Sequence, residues 1–153
     1  MRPSKELGTD SAGERGSASL EFLTAGLILL VPLTYLVVTL SAIQGGALAV
    51  EGAARQAARV YVQAPNSAEA VSRAERAISV GLADYGIDAD AATVQVDCGS
   101  PGACLTRRST VTVSVRVDVA LPLVPDVLSL PDIATVPVQA TAVQTVSRFW
   151  RAG

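Results

Sequence analysis

Between Glu21 and Glu51 the chain carries no charge: residues 22–50 are a run of 29 uncharged residues. The densest part is Phe22 to Ile43, 22 residues that begin FLTAGLILLVPLTYLVV. As an α-helix it rises about 33 Å, enough to cross a hydrocarbon core of about 30 Å. Apolar runs in buried soluble helices are shorter, about 10–14 residues. Pro32 lies inside the run. Membrane helices tolerate proline because neighbouring groups re-satisfy the freed carbonyl. The composition agrees. Charged residues are 17% of the chain, against a usual share of about 25%, and mean hydropathy is +0.40. Part of this chain belongs in lipid.

The same composition excludes several functions. There is no histidine, which removes the commonest general base and metal ligand. Serines therefore lack a histidine to activate them. Two cysteines without histidine are a poor zinc set. Asp84, Asp88 and Asp90 lack the spacing and glycine of an EF-hand loop, and read as a solvated loop. We expect no enzyme, no cofactor and no metal. Net charge is −2 with no long basic run, and aromatics are 4%, so no nucleic-acid partner is expected.

Three segments follow from the apolar run. Residues 1–16 form a polar leader with Arg2, Lys5 and Arg15, which favours a cytoplasmic N-terminus. Residues 17–43 form the membrane helix. Residues 44–153 form an extracytoplasmic domain, large enough for one small core. The expected location is the cytoplasmic membrane, single-pass.

The domain pattern is α+β. The helix continues through GALAVEGAARQAARVYVQA until Pro65 stops it. Glu51, Arg55 and Arg59 share one face. Val50, Ala54, Ala57 and Tyr61 form an apolar stripe, and Gly45, Ala49, Ala53 and Ala57 a ridge of small residues suited to close helix approach. A second helix, capped by Asn66 or Ser67, carries an apolar stripe of Val71, Ala74, Ile78, Leu82 and Tyr85 and ends at Gly86. The period then changes to two. Val94–Cys98, Val111–Val119 and Val136–Ala142 alternate apolar with mostly polar residues. They predict a three-stranded antiparallel sheet with one face covered by helix. Arg107-Arg108 and the Arg148-Phe149-Trp150-Arg151 tail read as solvated surface.

Cys98 and Cys104 bracket a GSPGA turn between the first two strands. A disulfide is within reach there. Two reduced cysteines in the core are the alternative. A bridge needs an oxidising compartment, in agreement with a domain beyond the membrane.

The sequence Gly16-Ser17-Ala18-Ser19-Leu20-Glu21-Phe22 precedes the apolar run. A carboxylate at the entrance of a membrane helix needs a partner or a headgroup-level position. A glycine ending a polar leader, a glutamate five residues on and an aromatic next resemble the processing site of pilin-like proteins. The stretch VEGAARQAARVYV, the Cys98/Cys104 loop, the valine strand ending in Leu121-Pro122 and the last Val/Ala strand look similar to the TadE-like pilus-assembly family. Its members are minor pseudopilins of the tight-adherence (Flp-type) pilus system. The resemblance implies a pilin-like fold and cleavage between Gly16 and Ser17 by a membrane-embedded prepilin peptidase. It implies that Glu21, beside Phe22, pairs with the new Ser17 amine of a neighbouring subunit. The implied partners are that peptidase, other pilin-like subunits, pilus-assembly membrane proteins and the lipid bilayer.

Two rival readings give other mature N-termini. Ala47-Leu48-Ala49 has the A-x-A form of a signal-peptidase site, which would release a secreted binding domain from Val50. An anchored binding domain unrelated to pili would keep Met1.

Overall fold

The computed structural model describes residues 14–99, 104–122 and 135–151, with side chains from residue 18 onward. The leader segment 1–13, Pro101, Gly102 and Pro125 lie outside the described residues. The architecture is α+β, with a long apolar N-terminal helix, a second helix and a three-stranded antiparallel sheet. Helix α1 spans Glu14–Val62 and α2 spans Ser67–Ala83. Strands are β1 (Ala92–Asp97), β2 (Thr110–Ala120) and β3 (Thr135–Thr145), in the order β1-β2-β3. The chain divides into two compact units, Met1–Val38 and Thr39–Gly153.

The described part of the first unit is one helix, apolar on every side after Glu21. It is exposed from Ala18 to Val38, including Phe22 at 77% and Leu29 at 72%. A helix apolar all round is stable where its surroundings are also apolar. Pro32 sits inside it without ending it.

The second unit holds the core. Val50, Ala53, Ala54, Ala57, Ala58 and Tyr61 of α1 are buried, so both sequence stripes on this helix face inward. Burial raises the Tyr61 phenol above its ordinary pKa of 10.0, which keeps it neutral in the core. The ridge of small residues has a definite partner. A Cβ placed on Gly81 of α2 would lie 3.3 Å from both Cα and Cβ of Ala53. Two helix backbones meet there with no room for a side chain. At Gly46 a Cβ would collide with the Val119 side chain of β2.

Asn66 is the N-cap of α2, its side chain accepting from the Glu69 amide at 2.9 Å. Glu69 also pairs with Arg73 at 2.6 Å. At the other end Gly86 N–H donates to the Ala83 carbonyl and Ile87 N–H to the Leu82 carbonyl. These are the two bonds of a Schellman motif, with Gly86 at φ +70°. The expected stripe on α2 needs correction. The buried positions are Ala70, Ala74, Ile78 and Leu82, whereas Val71 is 45% and Tyr85 50% exposed. Ala70 fills the inner position a turn ahead of Ala74, and Val71 is rotated outward by one residue step of about 100°.

In the sheet, Val111, Val113, Val115 and Val117 are fully buried, while the alternate residues of β2 face outward. Val94 opposes Val115 and Val96 opposes Val113, so both sit on the same face as the core valines. They are still 41% and 40% exposed, because β1 is an edge strand. On the outer face Ser114 and Thr141 share a cross-strand hydroxyl hydrogen bond of 2.9 Å.

The tail reading is corrected at Trp150. Its ring packs against the core, and Nε1 donates to the Ala64 carbonyl at 2.8 Å. Arg107 Nε donates in turn to the Trp150 carbonyl at 3.0 Å. An indole wants cover for its rings and an acceptor for its N–H, and the α1–α2 turn offers both. Phe149 remains 73% exposed, as expected.

Candidate functional site

The candidate site is the start of α1. Gly16 and Ser17 lie in its helical backbone, and their side chains lie outside the described residues. From Glu14 this helix runs unbroken into the apolar span. Glu21 and Phe22 are exposed on it, with Leu20 and Leu23 also exposed at 68% and 65%. Thr24 Oγ1 donates to the Leu20 carbonyl at 2.7 Å, so this hydroxyl is satisfied within the helix. The Glu21 carboxylate stands exposed at the head of the apolar run. An ion in that setting is stabilised by an opposite charge or by a position at the headgroups. Helical spacing places residues 17 and 21 one turn apart on one face. The structure brings no second ionisable side chain to Glu21 among the described residues.

The helix from Ala18 is long and apolar enough to cross a membrane, and none of its most apolar stretch is buried. In water, that exposure would be very unfavourable, at about 25 cal/mol per Å² of apolar surface.

The second candidate is the cysteine pair. Cys98 and Cys104 are joined by a disulfide, with Cα atoms 4.8 Å apart. The Asp97 side chain accepts from the Gly99 amide at 2.9 Å, and Gly99 has φ +66°. This Asx turn bends the chain out of β1 towards the bridge. Cys104 packs against the core, and the Ser109 hydroxyl donates to its carbonyl at 2.7 Å. The bridge therefore ties the end of β1 to the start of β2. In a chain-entropy treatment, so short a loop stabilises the fold by about 2 kcal/mol. Replacing both cysteines by serine is expected to lower unfolding stability by about that amount, leaving the helices intact. Chemical denaturation of both forms followed by circular dichroism checks it. An unchanged midpoint would show that the bridge adds nothing.

The Thr39–Gly153 unit also has an open cleft of about 500 Å³, lined by residues that include Gly45, Gly46, Tyr85, Asp88, Val117 and Val119. A shallower groove of about 360 Å³ lies between α2 and β1, beside Ile78, Asp90 and Val94. Among the described residues no group of three or more His, Cys, Asp or Glu is placed to hold a metal ion. Asp84, Asp88 and Asp90 are exposed at the end of α2 and in the turn after it, as the sequence suggests. Asp88 caps that turn by accepting from the Asp90 amide at 3.2 Å.

Sequence reasoning missed Gly46 and Gly81, whose closeness to Val119 and Ala53 depends on how distant elements pack. No protein-family model, curated protein or solved structure matches this chain.

Proposed function

We propose that this chain is a minor pilin-like subunit of a tight-adherence type pilus, similar to the TadE-like family. It is anchored by α1 and made mature by prepilin peptidase cleavage between Gly16 and Ser17. One observation carries the reading. The Gly16–Phe22 junction stands at the head of a single 49-residue helix, which is bare and apolar first and then packed in an α+β core. A subunit that leaves the bilayer for a filament needs this combination. Its helix serves first as an anchor and then as an assembly surface.

Cleavage fits the local physics. The scissile bond lies in the first turn of α1, where the amides lack intrahelical partners and the backbone opens at little cost. A glycine then enters an extended cleft with no side chain to place. The new Ser17 amine of a neighbouring subunit provides a positive charge for Glu21, which takes part in none of the ion pairs among the described residues. The bridged Cys98–Cys104 loop supports a domain in an oxidising compartment.

The signal-peptidase alternative fits less well. Ala49 and Val50 are 1% exposed inside the core, so cleavage after Ala49 would cut α1 within its packed region and remove Gly46 from its seat against Val119.

Co-expression with an aspartic prepilin peptidase tests the proposal. The wild-type chain is expected to be shortened by its first 16 residues. Gly16→Leu is expected to stay at full length and still fractionate with membranes. Equal processing of both would remove Gly16 from the mechanism, and no processing of either would count against the family reading.

A further inference from the structure

Opposite ends of the Thr39–Gly153 unit carry opposite charge. The contacts of Ala53 with Gly81 and of Gly45 with Tyr85 set α2 antiparallel to α1. The C-terminus of α2 and the turn after it therefore lie at the Gly46 end. Asp84, Asp88 and Asp90 are exposed there. Asp118, near the same end, is within 4.0 Å of Arg116 and is offset by it.

The other end is basic. Arg107 is held to the Trp150 carbonyl, and the Arg108 amide donates to the Val146 carbonyl at 3.1 Å. These bonds gather Arg107, Arg108, Arg148 and Arg151 around the end of the chain. Trp150 pins the group to Ala64, just past the end of α1. All four arginines are exposed, and Arg148 lies 4.6 Å over the Phe149 ring. Asp97, whose side chain accepts from the Gly99 amide, is a nearby countercharge, and one carboxylate against four arginines leaves this end net positive. Among the described residues, the ion pairs are Glu51–Arg55, Glu69–Arg73 and Arg116–Asp118. None of the four arginines or three aspartates takes part in them. Along α1 the two ends are separated by the rise from Gly46 to Val62, about 24 Å.

We propose that copies of this chain dock head to tail, the arginine end of one against the aspartate end of the next. A polyanion or an anionic bilayer would satisfy the arginines and leave the aspartates unmatched. A second copy matches both ends at once. The contact is heterologous, so it leaves a free arginine end and a free aspartate end and repeats along an axis instead of closing into a dimer. Charge complementarity sets its register and its orientation. The inference concerns the folded unit and goes beyond the pilus reading, since it needs neither cleavage at Gly16 nor Glu21.

The test uses the full chain in enough detergent to leave one chain per micelle, followed by sedimentation velocity. Wild type is expected to self-associate, with the association constant falling about tenfold or more between about 50 mM and about 500 mM salt. The triple variant R108E/R148E/R151E and the triple variant D84K/D88K/D90K are each expected to stay monomeric. Mixed together, they restore association, because each acidic end then meets a basic one. Restoration also shows that both variants fold. A control that adds three carboxylates away from both ends, Q95E/T112E/Q139E on the outer sheet face, is expected to associate as wild type does. The proposal is overturned if wild type is monomeric at low salt, if mixing fails to restore association, or if the control fails to associate. It is also overturned if wild type stays monomeric but binds phosphatidylglycerol vesicles through the arginine end, which would assign that end to lipid.

Discussion

Glu21→Gln is expected to abolish assembly with other pilin-like subunits while leaving membrane insertion and processing intact. The substitution keeps the size of the side chain and removes its charge. Apolar surroundings favour the amide, so an effect through anchoring alone would be neutral or slightly favourable. An effect through pairing is large. A carboxylate and an amine about 4 Å apart, at an effective dielectric near 20, attract by about 4 kcal/mol before desolvation is counted. Loss of an attraction of that size weakens association roughly a thousandfold. Removing one partner also leaves the Ser17 amine of the neighbour uncompensated in a low-dielectric site. Glu21→Asp is expected to fall between, because the charge survives and the reach shortens by one methylene. The readouts are co-purification of pilin-like subunits and the number of pili on cells expressing each variant. Wild-type values for Glu21→Gln would favour an anchored binding domain.

Gly81→Leu is expected to be the most damaging substitution in the folded unit, lowering its stability by about 3 kcal/mol or more. The first carbon of any side chain at this position already stands 3.3 Å from Ala53 Cα. What lies beyond it is the backbone of α1, which cannot rotate away as a side chain can. A leucine therefore forces α2 off α1 and opens the contact around Ala53, Ala57 and Ile78. Gly52→Ala is the counterpart on the open side of α1, where nothing lies within 4 Å of the added methyl. It is expected to stabilise by up to about 1 kcal/mol, since alanine is the better helix former. Urea titration of both variants measures the two effects. A mild effect of Gly81→Leu would show that the two helices are not in backbone contact.

The elements that sequence made legible are those whose signal is local. The uncharged run after Glu21 specifies α1 by length and apolarity. The Asn66 cap, the Gly86 Schellman turn and the alternating valines of β2 each carry their physics within a few residues. The α2 stripe holds at Ala74, Ile78 and Leu82 and fails at its ends, because Val71 and Tyr85 are apolar but sit at the flanks of the buried arc, while the small Ala70 lies inside it. Periodicity counts apolar residues and gives a small one little weight. Trp150 looks solvated in the sequence because its partner, the Ala64 carbonyl, is 86 residues away. The same distance effect hid the partners of Gly46 and Gly81. At Val94 and Val96 the period was right, but burial depends on what lies beyond an edge strand, which no strand pattern encodes. The junction residues were legible as chemical types in order. Glu21 takes part in none of the ion pairs among the described residues, and the reading of it as an assembly residue rests on the proposed function.

The most direct test of the account is the N-terminus of the native membrane-bound protein, read by intact mass and N-terminal sequencing. The account predicts a chain beginning at Ser17, with a free amine and with Glu21 as its fifth residue. A chain that retains Met1 to Gly16, or one that begins at Val50, would contradict it.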